Sequence, residues 1–493
     1  MISPAMLRDP VGSCPRRIAR ELDPDPATRA NRSSRPYNRA RVEDALWAAL
    51  AAAHRTPNVF DATPLVPPHT LFAEEQALLR HAFAWYRALF AGDAVTVDPT
   101  ACPPRTDLPR RGVALFGTVG LAGVDASGIP FLRRLRLGGL PDEPAHDAWL
   151  RTALLRLRPW LGDRRLQIQS VDLVEGVRED TWFDAATEIE PLRAWFDAAL
   201  DALRARADEA IATPGVACTG CRYLARCPAH PGATNGLSAR GGLAPGVIVL
   251  QASAVDVWRS CPRRFRNRQL LHLPASNVDV GPETGNLTHR LLELVHRADT
   301  EPDAASVERV LQETGVNSPH IESMLHAHLA RRPREAAPVG FERTLVRTSG
   351  RPAPPFLAAA RLDALWEHDG LLDVRDYKTG RVWYPNVAED PQARVQAWVA
   401  APEADRRGVQ VRVRYEHLAL DADEEPEPFA PEADDLDAIE HELRTIATEI
   451  RTADAVGDYP AASDPEVCIR CEFRAICPES ATPADPVWPT PPG

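Results

Sequence analysis

Residues 359–380 read AARLDALWEHDGLLDVRDYKTG, and this stretch decides how the chain is interpreted. Ala359 to Trp366 and Leu371 to Tyr377 are apolar-rich runs on either side of Glu367-His368-Asp369-Gly370. An Asp-Gly pair between two such runs is a β-hairpin signal. Asp376 and Lys378 are two apart on the second strand, so their side chains share a face. The turn brings Asp363 of the first strand alongside them. Two carboxylates and an ammonium at one place are what phosphodiester hydrolysis needs. The carboxylates are oxygen ligands for Mg²⁺ or Mn²⁺, and the cation orients or activates the attacking water. The bland alternative is an exposed hairpin carrying a salt bridge.

The lysine adds weight to the first reading. Of the 57 lysine and arginine residues, a single one is lysine, Lys378, and the other 56 are arginine. A surface position would accept arginine here, as all the others do. A site that keeps lysine against that bias needs a compact ammonium rather than a planar guanidinium.

Working outward, residues 252–271 and 287–297 read as helices, the second with Leu287, Leu291 and Leu294 at core spacing. Residues 307–329 read as one or two more helices. Residues 342–347 and 409–420 read as strands, and 393–399 and 436–450 as helices. The result is an α/β unit with a small mixed sheet.

The length of 493 residues suggests two to four domains. A hydrophobic share of 44% and a charged share of 26% are ordinary for a soluble globular protein. No apolar run approaches the roughly 18 residues that span a membrane. Residues 1–15 have no apolar signal core, so a cytoplasmic protein is expected. The net charge of −12 speaks against a general nucleic-acid coat but permits a local basic groove. Much of the acid lies between Asp421 and Glu442, read as a solvated loop running into a helix start.

Eight of the nine cysteines fall into two matching sets. Each set opens with Cys-Pro-Arg-Arg, at Cys14 and at Cys261. Each closes with C-x2-C-x5-C-P, at Cys218, Cys221 and Cys227 and again at Cys468, Cys471 and Cys477. The offset is 247 residues at the first cysteine and 250 at the other three. An internal duplication is the simplest account. The expected division is a first unit over 1–230, a Gly/Pro-rich linker over 231–246, a second unit over 247–480, and a disordered proline-rich tail over 481–493. Cys102 has no counterpart.

Arg361-Leu362-Asp363 followed by Asp376-Tyr377-Lys378-Thr379-Gly380 resembles the core motif of PD-(D/E)XK nucleases of the RecB branch, whose fold is restriction-endonuclease-like. Gly285-Asn286-Leu287-Thr288-His289-Arg290-Leu291-Leu292-Glu293 is similar to the G-x3-H-x2-L-E helix that precedes that core. The resemblance implies metal ligation by His289, Asp363, Asp376 and the Tyr377 backbone carbonyl. It gives Lys378 the role of positioning the water. It also implies a glutamine helix after the core, often Q-x3-Y. Gln396 fits, but position 400 is alanine. Glu342, one strand earlier, reads as a surface glutamate, with a place in the metal shell as the alternative.

Some RecB-type nucleases hold a [4Fe–4S] cluster with one cysteine before the core and three after it. Cys261 with Cys468, Cys471 and Cys477 resembles that layout, and Cys14 with Cys218, Cys221 and Cys227 would give a second cluster. By the resemblance such a cluster is a staple, and closing so long a loop is worth about 5 kcal/mol by analogy with disulfides. Zinc is the rival metal. A disulfide framework is disfavoured in the cytosol.

A gapless match of the two hairpins places Leu121, Arg134 and Arg136 where the second unit has Asp363, Asp376 and Lys378. The first unit is therefore expected to be a non-catalytic, degenerate relative. Its Arg133, Arg134 and Arg136 either grip a phosphate backbone or pair with nearby acids. The expected protein is thus two tandem PD-(D/E)XK units, the second a Mg²⁺- or Mn²⁺-dependent deoxyribonuclease. Its substrate is DNA that is single-stranded or has free ends, in repair, recombination or defence. The alternative is a non-catalytic iron–sulfur DNA-binding or scaffold subunit of a helicase–nuclease complex. No GxxxxGK[ST] loop is present, so any helicase is a separate protein.

Overall fold

The computed structural model describes residues 7, 14–22, 40–55, 65–98, 100–101, 105–108, 111, 113–116, 120–138, 147–209, 211–215, 218, 221, 227, 229–230, 247–275, 281–298, 302–332, 336–349, 355–380, 386–419, 426–480, 488 and 491. Cys102, the linker over 231–246 and nearly all of the tail over 481–493 lie outside them. Among the described residues no helix is long and apolar enough to cross a membrane.

The chain forms two compact units, and they are not the contiguous halves expected. The first takes Met1–Thr213, Arg263–Ser276 and Ala461–Gly493, and the second Pro214–Pro262 and Asn277–Pro460. The reason is apolar burial. Leu271, Leu273, Phe473 and Trp488 complete the first unit's core. Cys218 and Cys221 pack with Leu357 and Ala359 of the second.

The first unit holds helices α1 (Pro15–Leu22), α2 (Ala40–Ala53) and α3 (Ala73–Phe90), strands β1 (Val95–Val97), β2 (Arg105–Leu108), β3 (Val113–Phe116), β4 (Leu121–Asp125) and β5 (Pro130–Arg136), then α4 (Ala148–Leu161), β6 (Arg165–Asp172), β7 (Val177–Asp184) and α5 (Ala185–Asp208). Its five-stranded sheet has the order β1-β4-β5-β6-β7, and β2 and β3 pair separately. The β4–β5 hairpin is antiparallel and β5–β6 parallel. Alternation serves both faces. Leu121 joins the α2 and α3 side chains, while Ala122 and Leu132 join those of α4 and α5.

The second unit carries β8 (Ile248–Gln251) and α6 (Ala252–Ser260), then helices α7 (Gly281–Ala298), α8 (Ala304–Thr314) and α9 (Pro319–Arg331). Strands β9 (Ala337–Ser349), β10 (Phe356–His368) and β11 (Leu371–Lys378) follow, then α10 (Pro391–Arg407), β12 (Gln410–His417) and α11 (Ala433–Val456). The expected hairpin forms, with antiparallel pairs from Ala364↔Arg375 to His368↔Leu371. Its two turn residues, Asp369 and Gly370, have φ of 51° and 73°, as a tight primed turn requires. The β11–β12 pair is parallel and β9–β10 antiparallel. The sheet thus shares with the first unit an antiparallel, antiparallel, parallel run with a helix before the last strand. Ala364, Trp366 and Tyr377 pack under α7, α8 and α9.

Candidate metal centre

The register carries Asp363 and Asp376 to neighbouring positions just beyond the Ala364–Arg375 pair. The backbone N–H of Tyr377 donates to Asp363 Oδ2 at 2.7 Å, which fixes that carboxylate. His289 arrives from α7. Its Nε2 lies 3.0 Å from the Tyr377 carbonyl oxygen, and its Nδ1 lies 3.4 Å from Asp363 Oδ1 and 3.8 Å from Glu342 Oε1. A Cβ on Gly285 would stand 3.1 Å from Thr379 Oγ1, so the start of that helix motif lies close against the end of the second hairpin strand.

Lys378 Nζ is 2.7 Å from Asp376 Oδ1 and 4.2 Å from the centre of the Tyr415 ring. The other oxygen of Asp376 accepts from two amides, Gln392 Nε2 and Gln396 Nε2, each at 2.5 Å. Those glutamines are one turn apart on α10. Asp390 caps that helix by accepting from Gln392 N at 2.7 Å, and Pro391 occupies its first turn. The helix start therefore sets both amides against one carboxylate.

Among the described residues, His289, Glu342 and Asp363 form the group of three possible ligands whose donor atoms all lie within 4.8 Å of one another. Burial drives the Asp376 carboxyl above the usual range, with Asp363 adding to it, while Lys378 and Gln396 pull the other way. Burial also raises Glu342, as does the charge of Asp363, and Arg361 and His289 oppose the rise. Burial would lower His289, but its hydrogen bond to Asp363 and the charges of Asp363, Glu342 and Asp376 reverse the sign, so it is raised. Clustered acids that raise one another and a neighbouring imidazole make a ready cation site.

The expected residues are therefore placed unevenly. His289, Asp363 and the Tyr377 carbonyl converge. Asp376 and Lys378 stand beside them as a pair, and Gln396 touches Asp376 although the Q-x3-Y pattern breaks at Ala400. The sequence reading misses Gln392 and favours the surface over the metal shell for Glu342. Gln392 had a visible signal, since it precedes Gln396 by one helical turn. Glu342 read as a surface residue, yet its side chain is only 6% exposed.

Among the described residues, the first unit has no such centre at its matching hairpin. Its turn is one residue longer, with Asp125 N donating to Ile129 O and Gly128 N to Asp125 O. Leu121 therefore pairs with Arg133, and the gapless match slips by one residue. Arg133 is fully buried. It donates to Gln169 Oε1 at 2.7 Å and to the Tyr86 hydroxyl at 2.9 Å, pairs with Asp93, and lies 3.9 Å from the Phe90 ring centre. Arg134 pairs with Asp147. Of the two readings of these arginines, Arg133 and Arg134 follow the internal pairing.

None of the eight described cysteines is in a disulfide. Cys218 Sγ lies 3.3 Å from His230 Nε2, and Phe473 N donates to Cys471 Sγ at 3.4 Å. Cys261 belongs to the second compact unit and Cys468, Cys471 and Cys477 to the first.

Residues 250–478 match the model of the PD-(D/E)XK nuclease superfamily. No curated protein matches the chain. Among solved structures, one titled "Crystal structure of SSO0001" aligns at 14% identity over 48% of this chain and 87% of that chain, with a TM-score of 0.25.

Proposed function

From a PD-(D/E)XK nuclease superfamily domain over residues 250–478, we propose that this chain is a Mg²⁺- or Mn²⁺-dependent deoxyribonuclease of the RecB type. One observation carries the reading. A helix histidine, a strand carboxylate and a strand carbonyl meet beside the single lysine of the chain. The donor set fits a hard divalent ion, since His289, Glu342 and Asp363 each offer a ligand atom and these atoms all lie within 4.8 Å of one another. His289, Asp363 and the Tyr377 carbonyl would hold the ion, with Asp376 next to them. When bound, the ion polarises the phosphodiester and offsets charge in the transition state.

The remaining work falls to the side chains. Lys378 sits 2.7 Å from Asp376 and presents an ammonium that orients the attacking water and stabilises its loss of a proton. Gln392 and Gln396 lock Asp376 in one rotamer, so the water and the scissile phosphate meet in fixed geometry. Asp376 in turn holds Lys378 in place.

The substrate we propose is DNA that is single-stranded or has free ends, cleaved in repair, recombination or defence in the cytoplasm, with any motor supplied by a separate helicase. The first unit is proposed as a degenerate, non-catalytic copy. The cysteine sets are proposed as [4Fe–4S] ligands. Their spacing supports this, and so does the N–H bond to Cys471 Sγ, which suits a thiolate. Cleavage of labelled single- and double-stranded DNA with Mn²⁺ tests the enzyme. Wild type should cut and Lys378→Ala should not. Equal activity in the two proteins refutes the assigned site, and inactivity of wild type favours a scaffold subunit.

A further inference from the structure

We infer that Glu342 supplies a second carboxylate to the divalent ion, from the edge strand β9, beside the ligands already assigned. The inference rests on the metal-site reading above. The pairs Leu362↔Arg343 and Ala364↔Phe341 bracket Asp363, so Glu342 stands opposite it on the neighbouring strand. Two acids directly opposite on adjacent strands repel unless a positive charge lies between them. The fold nevertheless buries this one, at 6% side-chain exposure, and directs it at His289 Nδ1, 3.8 Å away. Asp363 approaches the same nitrogen at 3.4 Å.

A second reading makes Glu342 only the partner of Arg361, whose Nε lies 2.5 Å from Glu342 Oε2. That arginine is 67% exposed. An exposed arginine is well hydrated and gives little reason to bury a carboxylate beside a like charge. The backbone points the same way. Glu342 has φ of 49°, a left-handed value inside a β-strand. Such strain persists where the surroundings require that side chain to point in one direction. Asp376, by contrast, has both oxygens engaged by Lys378, Gln392 and Gln396. The group within mutual ligand reach is therefore His289, Glu342 and Asp363. An imidazole and two carboxylates make a set for a divalent cation whose remaining positions are filled by water. Before the ion binds, Arg361 neutralises Glu342.

The test is Mn²⁺ binding to the full chain without DNA, read from the paramagnetic resonance of free Mn²⁺ and from calorimetry. The proteins compared are wild type, Glu342→Gln, Glu342→Asn and Asp363→Asn. Asparagine is included because it tolerates positive φ. Both Glu342 variants should bind Mn²⁺ about tenfold or more weakly. Their ion-free melting temperatures should be equal to or above that of wild type, because a repulsion is removed. Wild-type Mn²⁺ affinity in the Glu342 variants, with weakened binding in Asp363→Asn, overturns this inference alone. Undiminished binding in Asp363→Asn overturns the metal-site reading beneath it. Unfolding of both Glu342 variants would assign the residue to the fold and also overturn the inference.

Discussion

His296→Gln should make the second unit markedly less sensitive to acid. His296 lies on α7, buried between Phe341, stacked at 4.2 Å, and Trp366, edge-on at 5.5 Å. Its Nε2 is 2.7 Å from His328 Nε2. The other nitrogen of His328 is 2.7 Å from Glu416, which also accepts from Arg375 at 2.8 Å. A proton on His296 would thus be a buried charge facing a neighbour already committed to Glu416. Burial, then the His328 and Arg332 charges, bring its pKa from 6.5 down to about 3, with Glu416 opposing. The folded value is depressed, so the contribution is complete above pH 6.5 and is lost as pH falls from there towards 3. At 1.36 kcal/mol per unit, the full loss is about 5 kcal/mol, of which about 2 kcal/mol falls between pH 7 and pH 5. Urea unfolding followed by near-UV circular dichroism at those two pH values should show a drop in stability smaller by about 2 kcal/mol in His296→Gln than in wild type. Glutamine keeps a donor for His328 and removes the titration. His54 in the first unit is also lowered, to about 4, by burial and then by Arg133, so the difference between variant and wild type is what counts. An equal drop in both proteins would refute the reasoning.

Further outcomes follow from the same geometry. Lys378→Arg keeps the charge, but its larger planar head does not fit the place between Asp376 and the Tyr415 ring. Cleavage should fall by about a hundredfold or more while the melting temperature holds. Gln392→Leu removes one of the two amides on Asp376 Oδ2 and should slow cleavage about tenfold with the fold intact, as single-turnover kinetics would show. Arg133→Ala strips a fully buried cation from Gln169, Tyr86 and Asp93. It should cost the first unit about 3 kcal/mol in denaturant unfolding and leave DNA affinity unchanged. Protein purified without oxygen should be brown with broad visible absorbance. A colourless, zinc-containing sample would replace the iron–sulfur proposal.

Much of the site was legible because its parts are local. A hairpin turn, a two-residue strand spacing and a lone lysine are all visible in residues 359–380. The helix motif at Gly285 to Glu293 added His289. What was less legible depends on distant segments. Glu342 looks like any exposed strand residue until β9 pairs with β10 and turns its carboxylate inward through a left-handed backbone. Gln392 lies at a helix start, where polar residues are common, and acquires meaning only when Asp390 caps α10 against β11. The arginines of the first unit were ambiguous because charge alone does not reveal a partner. Tyr86, Asp93 and Gln169 come from three separate elements or turns. The compact units crossed the expected boundary because Leu271, Leu273 and Phe473 carry no periodic signal that tells which core they fill.

Anomalous diffraction at the manganese edge, from crystals of the full chain soaked in Mn²⁺, tests the central claim most directly. A peak within about 2.3 Å of the Asp363 carboxylate, the His289 ring and the Tyr377 carbonyl oxygen is the predicted result. Strong manganese density elsewhere with none between those three groups would contradict it.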